Sequence, residues 1–197
     1  MRLASKILLP RGFEFSAATA GIKVSGSPDL ALALAPHGAN AAAMFTTNRV
    51  VAIPLQCGRE HLRKTGGRVR AVVVNSGNAN CATGDAGRFA CESVCGSVAK
   101  AAGCEQDEVF PASTGIIGVP LPADKLIKAI PQLLSARAAD AEAAERFARA
   151  IMTTDTRMKT ASARFGAATL WRTISLSFVV RIPASCSCSN GRPASTP

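Results

Sequence analysis

Val72-Val73-Val74-Asn75-Ser76-Gly77-Asn78-Ala79-Asn80-Cys81-Ala82-Thr83-Gly84-Asp85-Ala86-Gly87 passes from a β-branched run into amides and small residues. Val69 to Val74 is continuous and apolar, the pattern of a strand buried on both faces. The polar stretch from Asn75 to Gly84 reads as a loop. Asp85 then caps a helix reaching about Ala102, with Gly103 at its end. Ala86, Phe89, Ala90, Ser93, Val94, Ser97, Val98 and Ala101 form its inner stripe at helical spacing. A second passage of the same kind follows in Pro111-Ala112-Ser113-Thr114-Gly115-Ile116-Ile117-Gly118-Val119-Pro120-Leu121-Pro122, which Val109-Phe110 leads into. In both, a buried strand gives way to small residues whose backbone N–H groups a ligand or a developing negative charge can approach.

Outward from these segments, residues 1–65 read as short strands and turns. Leu30, Leu32 and Leu34 alternate with Ala and suit a strand, while Thr46-Thr47-Asn48-Arg49 makes a polar bend. Val50 to Leu55 is a second strand candidate, ended near Pro54. Arg59 to Lys64 is a short helix stopped by Gly66-Gly67. Asp124 opens a helix with Leu126, Ile127, Ile130, Leu133 and Leu134 inward, which Pro131 breaks or kinks. Ala138 to Ile151 is an Ala-rich helix that buries Ala144, Phe147, Ala148 and Ile151. These elements, without a regular βαβ rhythm, predict an α+β fold. Beyond Phe165 the character changes. Ile174, Leu176, Phe178 and Val180 suit one strand, and the Ser/Cys/Arg/Pro residues after about Ala184 have little to bury and read as a disordered tail. The chain thus divides at 1–165 and 166–197.

A hydrophobic content of 48% with 18% charged residues, over 197 residues, describes a globular protein with one sizeable core. No apolar run is long enough for a membrane span, and the basic start has too short an apolar core for a secretory signal, so cytoplasm is expected. The formal charge of +10 invites a nucleic-acid reading, yet the basic residues are scattered. The densest group, Arg59, Arg63, Lys64, Arg68 and Arg70, has no interleaved aromatics for base stacking, so no nucleic-acid partner is expected. The seven cysteines are odd in number and fit free thiols in a reducing compartment. Cys91 and Cys95 share a helix face, but no second pair or nearby His completes a tetrahedral set, so no metal is expected and both read as buried small hydrophobes.

Three segments could carry chemistry. Thr114-Gly115 offers a hydroxyl and an N–H that can together hold a tetrahedral oxyanion; an ordinary strand-to-helix turn with two glycines fits the same residues. Asn75-Ser76-Gly77-Asn78-Ala79-Asn80 lacks both the G-x-G-x-x-G pattern and the Walker Lys-Ser/Thr pair, so side-chain amides holding a tight loop are favoured over a phosphate cradle. Thr153-Thr154-Asp155-Thr156 reads as a C-terminal turn with local hydroxyl-to-backbone bonds. His37 and His61 pair with no Ser or Cys nucleophile motif and read as loop or surface residues.

Taken together with Gly21-Ile22-Lys23, Pro28-Asp29-Leu30-Ala31-Leu32 and Phe45-Thr46-Thr47-Asn48-Arg49-Val50, these segments make the chain resemble the glutamate N-acetyltransferase/ornithine acetyltransferase family, from about Leu9 to about Lys159. The resemblance implies layered sheets covered by helices and acetyl transfer from N-acetylornithine, with acetyl-CoA as a further donor in some members, to glutamate. It implies no cofactor, a second (β) chain and a heterotetramer. By position, Thr114 and Gly115 become the oxyanion hole at the mouth of a cleft, and Thr153 contacts the amino-acid substrate in the same cleft. Met158 before Lys159 departs mildly from the family, which has Pro there. The family's nucleophile is a Thr freed by self-cleavage at an Asn-Met-Ala-Thr-Met-type segment, preceded by a Gly-Met-Ala-Lys-Gly segment whose Lys binds substrate. Neither occurs here; residues from about Gly166 are expected to be an out-of-frame or rearranged ending, and the chain to supply the oxyanion hole without catalysis of its own.

Overall fold

The structure is a computed structural model that describes residues 9–165 and 168–173, with side chains as far as Ala161. Its centre is a four-stranded sheet in the order β1 (Glu14–Ala18), β2 (Leu30–Asn40), β3 (Arg68–Asn78) and β4 (Val109–Ile116). The first two pairings are antiparallel and β3/β4 is parallel. A parallel neighbour needs a crossover, and α2 (Gly84–Ala102) supplies it. Around this unit lie α1 (Ile53–Lys64), α3 (Ala123–Ser135) and α4 (Ala141–Ala150), and β5 (Thr160–Phe165) pairs antiparallel with β6 (Ala168–Thr173). The mixed α+β class expected from the sequence is the one observed.

Strand alternation sends the two halves of each central strand to different cores. Leu30, Leu32, Leu34, Ala71 and Val73 pack with Val94 and Val98 of α2 and with Leu126, Ile130 and Leu133 of α3. Ala31, Ala33, Ala35, Val72 and Val74 join Phe110, Phe15 and the α4 residues Ala143, Ala144 and Phe147 on the other face. Phe15 and Phe147 meet edge to face with centroids 5.7 Å apart. Because Ala fills β2 on the α4 side, that helix can approach closely.

Several elements differ from their sequence reading. Val50 to Leu55 is not a strand: α1 begins at Ile53, with Pro54 in its first turn, where a missing N–H costs nothing. Ile53, Cys57 and His61 are buried at helical spacing, a signal that the short β-branched run obscured. The helix after Gly84 has the expected length and ends at Gly103 in the left-handed conformation, φ 66°, but Thr83 rather than Asp85 occupies its cap position. Its buried stripe is Ala90, Cys91, Val94, Cys95, Val98 and Ala99, rotated from the expected one, so Phe89 is 77% exposed. Small cysteines fit the tight space against α1, whereas Phe89 would not. Pro131 does not break α3; it lies on the exposed face, and burial of Leu126, Ile130, Leu133 and Leu134, at about 1.5–3 kcal/mol each, outweighs the interior-proline cost of about 3 kcal/mol. The Ala-rich helix runs only from Ala141 to Ala150, because Asp140 caps it by accepting from the Ala143 N–H at 2.7 Å. The expected strand at Ile174–Val180, the tail after Ala184 and the basic start lie outside the described residues.

Candidate functional site

Both glycine-rich segments begin as strand, not loop. β3 continues through Asn78 and β4 through Ile116, with Ser76 opposite Thr114 and Gly77 opposite Gly115. Two glycines make this possible. Gly115 has φ +139° and Gly77 φ +95°, and a Cβ on Gly115 would lie 2.3 Å from the Gly77 carbonyl carbon. On the far side, a Cβ on Gly77 would lie 2.9 Å from Ile22. The β3 and β4 backbones are therefore stacked with no side chain between them at Gly77 and Gly115, and the Ile22 and Lys23 side chains cover the other side of Gly77.

The three amides are spent on the protein itself. Asn75 Nδ2 donates to the Asn78 carbonyl and its Oδ1 accepts from Ser113 Oγ at 2.5 Å. Asn78 Nδ2 donates to the carbonyls of Val119 and Pro120, closing the segment beyond β4 over the end of β3. Asn80, fully buried at φ +46°, donates to Gly87 O and accepts from Thr83 Oγ1, tying the loop to the start of α2. These groups hold the loop rather than cradle a phosphate.

Thr114 shares the α4 face with Ser76 and Phe110, since in-register residues of a parallel pair point the same way. Ser76 Oγ donates to the Ala150 carbonyl at 2.5 Å, so the last turn of α4 sits against the register partner of Thr114. Thr153 follows three residues later, exposed, in a segment without regular structure. Thr114 and the end of α4, which leads to Thr153, therefore lie at one end and on one face of the sheet. Among the described residues neither hydroxyl has a hydrogen-bond partner, and Gly115 is exposed. Ile116 and Ile117, each 64% exposed, form an apolar lip beside them.

A buried carboxylate underlies this end of the sheet. Asp29 accepts from the N–H groups of Ala20, Ile22 and Lys23 at 2.6, 2.5 and 2.9 Å. It folds the Ala20–Pro28 turn so that Ile22 and Lys23 meet Gly77. Burial lowers the Lys23 ammonium from the usual lysine value, and the nearby Asp29 charge offsets part of that. Sequence reading singled out Gly21-Ile22-Lys23 and Pro28-Asp29 as markers without a role; a buried Asp before an apolar strand was the available signal.

The remaining candidates have structural roles. His37 is exposed, but His61 is not a surface residue: it is 2% exposed, with Nδ1 2.8 Å from the Val109 carbonyl and Nε2 facing Glu92 and Asp107. Cys57, Cys91 and Cys95 are buried together, and the Cys57 thiol is pushed well up by its hydrogen bond with Cys91 and by burial. Among the described residues no group of His, Cys, Asp or Glu could hold a metal ion, and no helix is long and apolar enough to cross a membrane. Much of the basic cluster is engaged: Arg59 lies over the Phe45 ring, Lys64 pairs with Asp107 and Arg68 with Glu108.

Comparison with known proteins gives a consistent result. A sequence model of the ArgJ family matches residues 14–177. The arginine biosynthesis bifunctional protein ArgJ of Neisseria gonorrhoeae is 45% identical over 151 residues, covering 77% of this chain and 36% of that protein. The protein of the same name from Thermus thermophilus is 46% identical over 162 residues, covering 82% and 41%. The chain thus spans well under half the length of these curated relatives. Among solved structures, the ornithine acetyltransferase of Mycobacterium tuberculosis complexed with ornithine superimposes with a TM-score of 0.80 at 35% identity, covering 88% of this chain and 92% of that one. The arginine biosynthesis bifunctional protein of Bacillus halodurans gives 0.73 at 32%, covering 88% and 84%.

Proposed function

The chain belongs to the ArgJ family, and from that premise we propose that it carries one half of an acetyl-transfer site working between N-acetylornithine and glutamate. Thr114 Oγ and the Gly115 N–H are the oxyanion hole, and Thr153 contacts the amino-acid substrate. One observation carries this reading: Ser76, the register partner of Thr114, is bonded to the last residue of the helix that leads to Thr153. Strand geometry adds to it. The Ile116 carbonyl accepts from Ala79 N–H on the β3 side. Gly115, the residue before it, is exposed at this strand end.

In the reaction, a threonine hydroxyl oxygen attacks the acetyl carbonyl carbon of N-acetylornithine. The hydroxyl proton passes to that threonine's amine, and the carbonyl oxygen takes the negative charge between Thr114 and Gly115. Collapse breaks the amide C–N bond, the proton goes to the departing ornithine nitrogen, and an acetyl ester remains for the amine of glutamate. Residues 1–197 contain no Asn-Met-Ala-Thr-Met-type segment to supply that threonine. The nucleophile lies outside these residues, which by themselves supply only the oxyanion side of the site. A cytoplasmic location accords with such a biosynthetic role.

Intact-mass analysis of the purified chain after incubation with isotopically labelled N-acetylornithine tests the reading. A single uncleaved species without acetyl is expected. In parallel, amide resonances of Gly115 and Thr153 should shift on titration with N-acetylornithine. Retained acetyl that Thr114→Ala abolishes would mean that another residue serves as nucleophile. Absence of any shift would remove the substrate assignment.

A further inference from the structure

The Ala150 carbonyl receives two donors from different parts of the chain. Ser76 Oγ reaches it from β3 at 2.5 Å, and Lys23 Nζ reaches it from the Ala20–Pro28 turn at 3.1 Å. Lys23 also donates to the Pro28 carbonyl at 3.0 Å. Ala150 ends α4, where carbonyls lack intrahelical partners and the helix dipole is negative, so a cation there is favoured. The Lys23 stem lies against Gly77, the residue on which Gly115 is stacked. Lys23 is itself held: its own N–H and that of Ile22 are bonded to the buried Asp29 carboxylate. Partial burial of the ammonium opposes this arrangement, and the nearby Asp29 charge offsets part of that cost.

We infer that Lys23 is a positioning residue of the site: it clamps the carboxyl end of α4 and thereby sets Thr153 over the Thr114–Gly115 backbone. The chain runs from Ala150 to Thr153 without regular structure, so the direction in which it leaves α4 is decided by what holds Ala150 together with the buried Ile151. Asp29 orients Lys23, Lys23 and Ser76 hold Ala150, and Thr153 is presented on the face that carries Thr114. This assignment rests on the proposed acetyl-transfer reading for its purpose, but not for its geometry.

Hydrogen exchange and ligand titration on the 197-residue chain separate the two. Lys23→Met should raise exchange at Ile151 and Met152, whose N–H groups are bonded to α4 carbonyls, about tenfold, the effect expected of one lost charge-assisted hydrogen bond, and Lys23→Arg should restore it. Exchange in Val72–Val74 should stay at the parent level. The amide shifts of Thr153 on adding N-acetylornithine should need about tenfold more ligand in Lys23→Met, and the parent concentration in Lys23→Arg. Unchanged exchange at Ile151 and Met152 would overturn the inference. So would a uniform rise that includes Val72–Val74, which would reduce Lys23 to general stability. If the parent chain shows no response to N-acetylornithine, the acetyl-transfer reading falls, while the exchange arm still decides whether Lys23 sets this segment.

Discussion

Gly115 is the residue whose replacement has the clearest consequence. At φ +139° an L side chain is strained, and its Cβ would lie inside contact distance of Gly77 backbone, which cannot yield as a flexible side chain would. Gly115→Ala should therefore destabilise the chain by more than the roughly 1–3 kcal/mol of backbone strain alone, measured by urea denaturation. Thr114→Ala is the contrasting case. Its hydroxyl bonds to no described group, so stability should change by less than about 1 kcal/mol, while the Gly115 amide loses its response to N-acetylornithine. The choice of Gly115, Thr114 and Thr153 came from sequence resemblance. Asp29 and Lys23 had no role in that reading, because their partners at Ala20, Ile22 and Ala150 come together only after folding.

At the scale of elements, α1 and α2 are tied by Arg88, which forks onto both Glu60 oxygens at 3.1 and 2.7 Å. This hydrogen bond lowers the Glu60 carboxyl below its usual range. A folded-state value below the unfolded one contributes stability at pH above the ordinary glutamate value, and that contribution is lost as pH falls through the lowered one. Both partners are exposed, so the effect is about 0.2–1 kcal/mol. Urea midpoints of parent and Glu60→Gln should differ at pH 7 and converge as the pH falls through the lowered Glu60 value. The start of α4 depends on Asp140. Asp140→Ala should cost about 1 kcal/mol and, by fraying the first turn, speed exchange at Ala143. Elements were legible where the pattern was long: Val69–Val74, the Leu30–Leu34 alternation and the span of α2 all stand. α1 was misread at its start because Val50, Val51 and Ile53 carry strand propensity. Only packing against β4, with Gly58 against the Phe110 ring, decides for helix.

Across the molecule, the sheet is covered by α2 and α3 on one face and by α4 on the other. The thiols Cys57, Cys91 and Cys95 are sealed beneath α1 and α2. Peptide-resolved alkylation at pH 8 should leave these three unmodified in the native chain and modify them in urea. Labelling of Cys57 at the rate of an exposed thiol would contradict the burial described.

The sequence by itself determined the family, the α+β class, the buried central strands and the candidate Thr-Gly pair, because each is written in contiguous residues. Periodicity and local turn chemistry need no knowledge of distant partners. Tertiary structure alone decided that the glycine segments extend the ladder rather than leave it. It also turned α2 so that cysteines and not Phe89 face the core, and it joined Lys23, Ser76 and Ala150 at one carbonyl. Each of these depends on which backbones can approach within contact distance and which buried donors find acceptors. Pairings between residues as far apart as 23 and 150 leave no trace in local pattern.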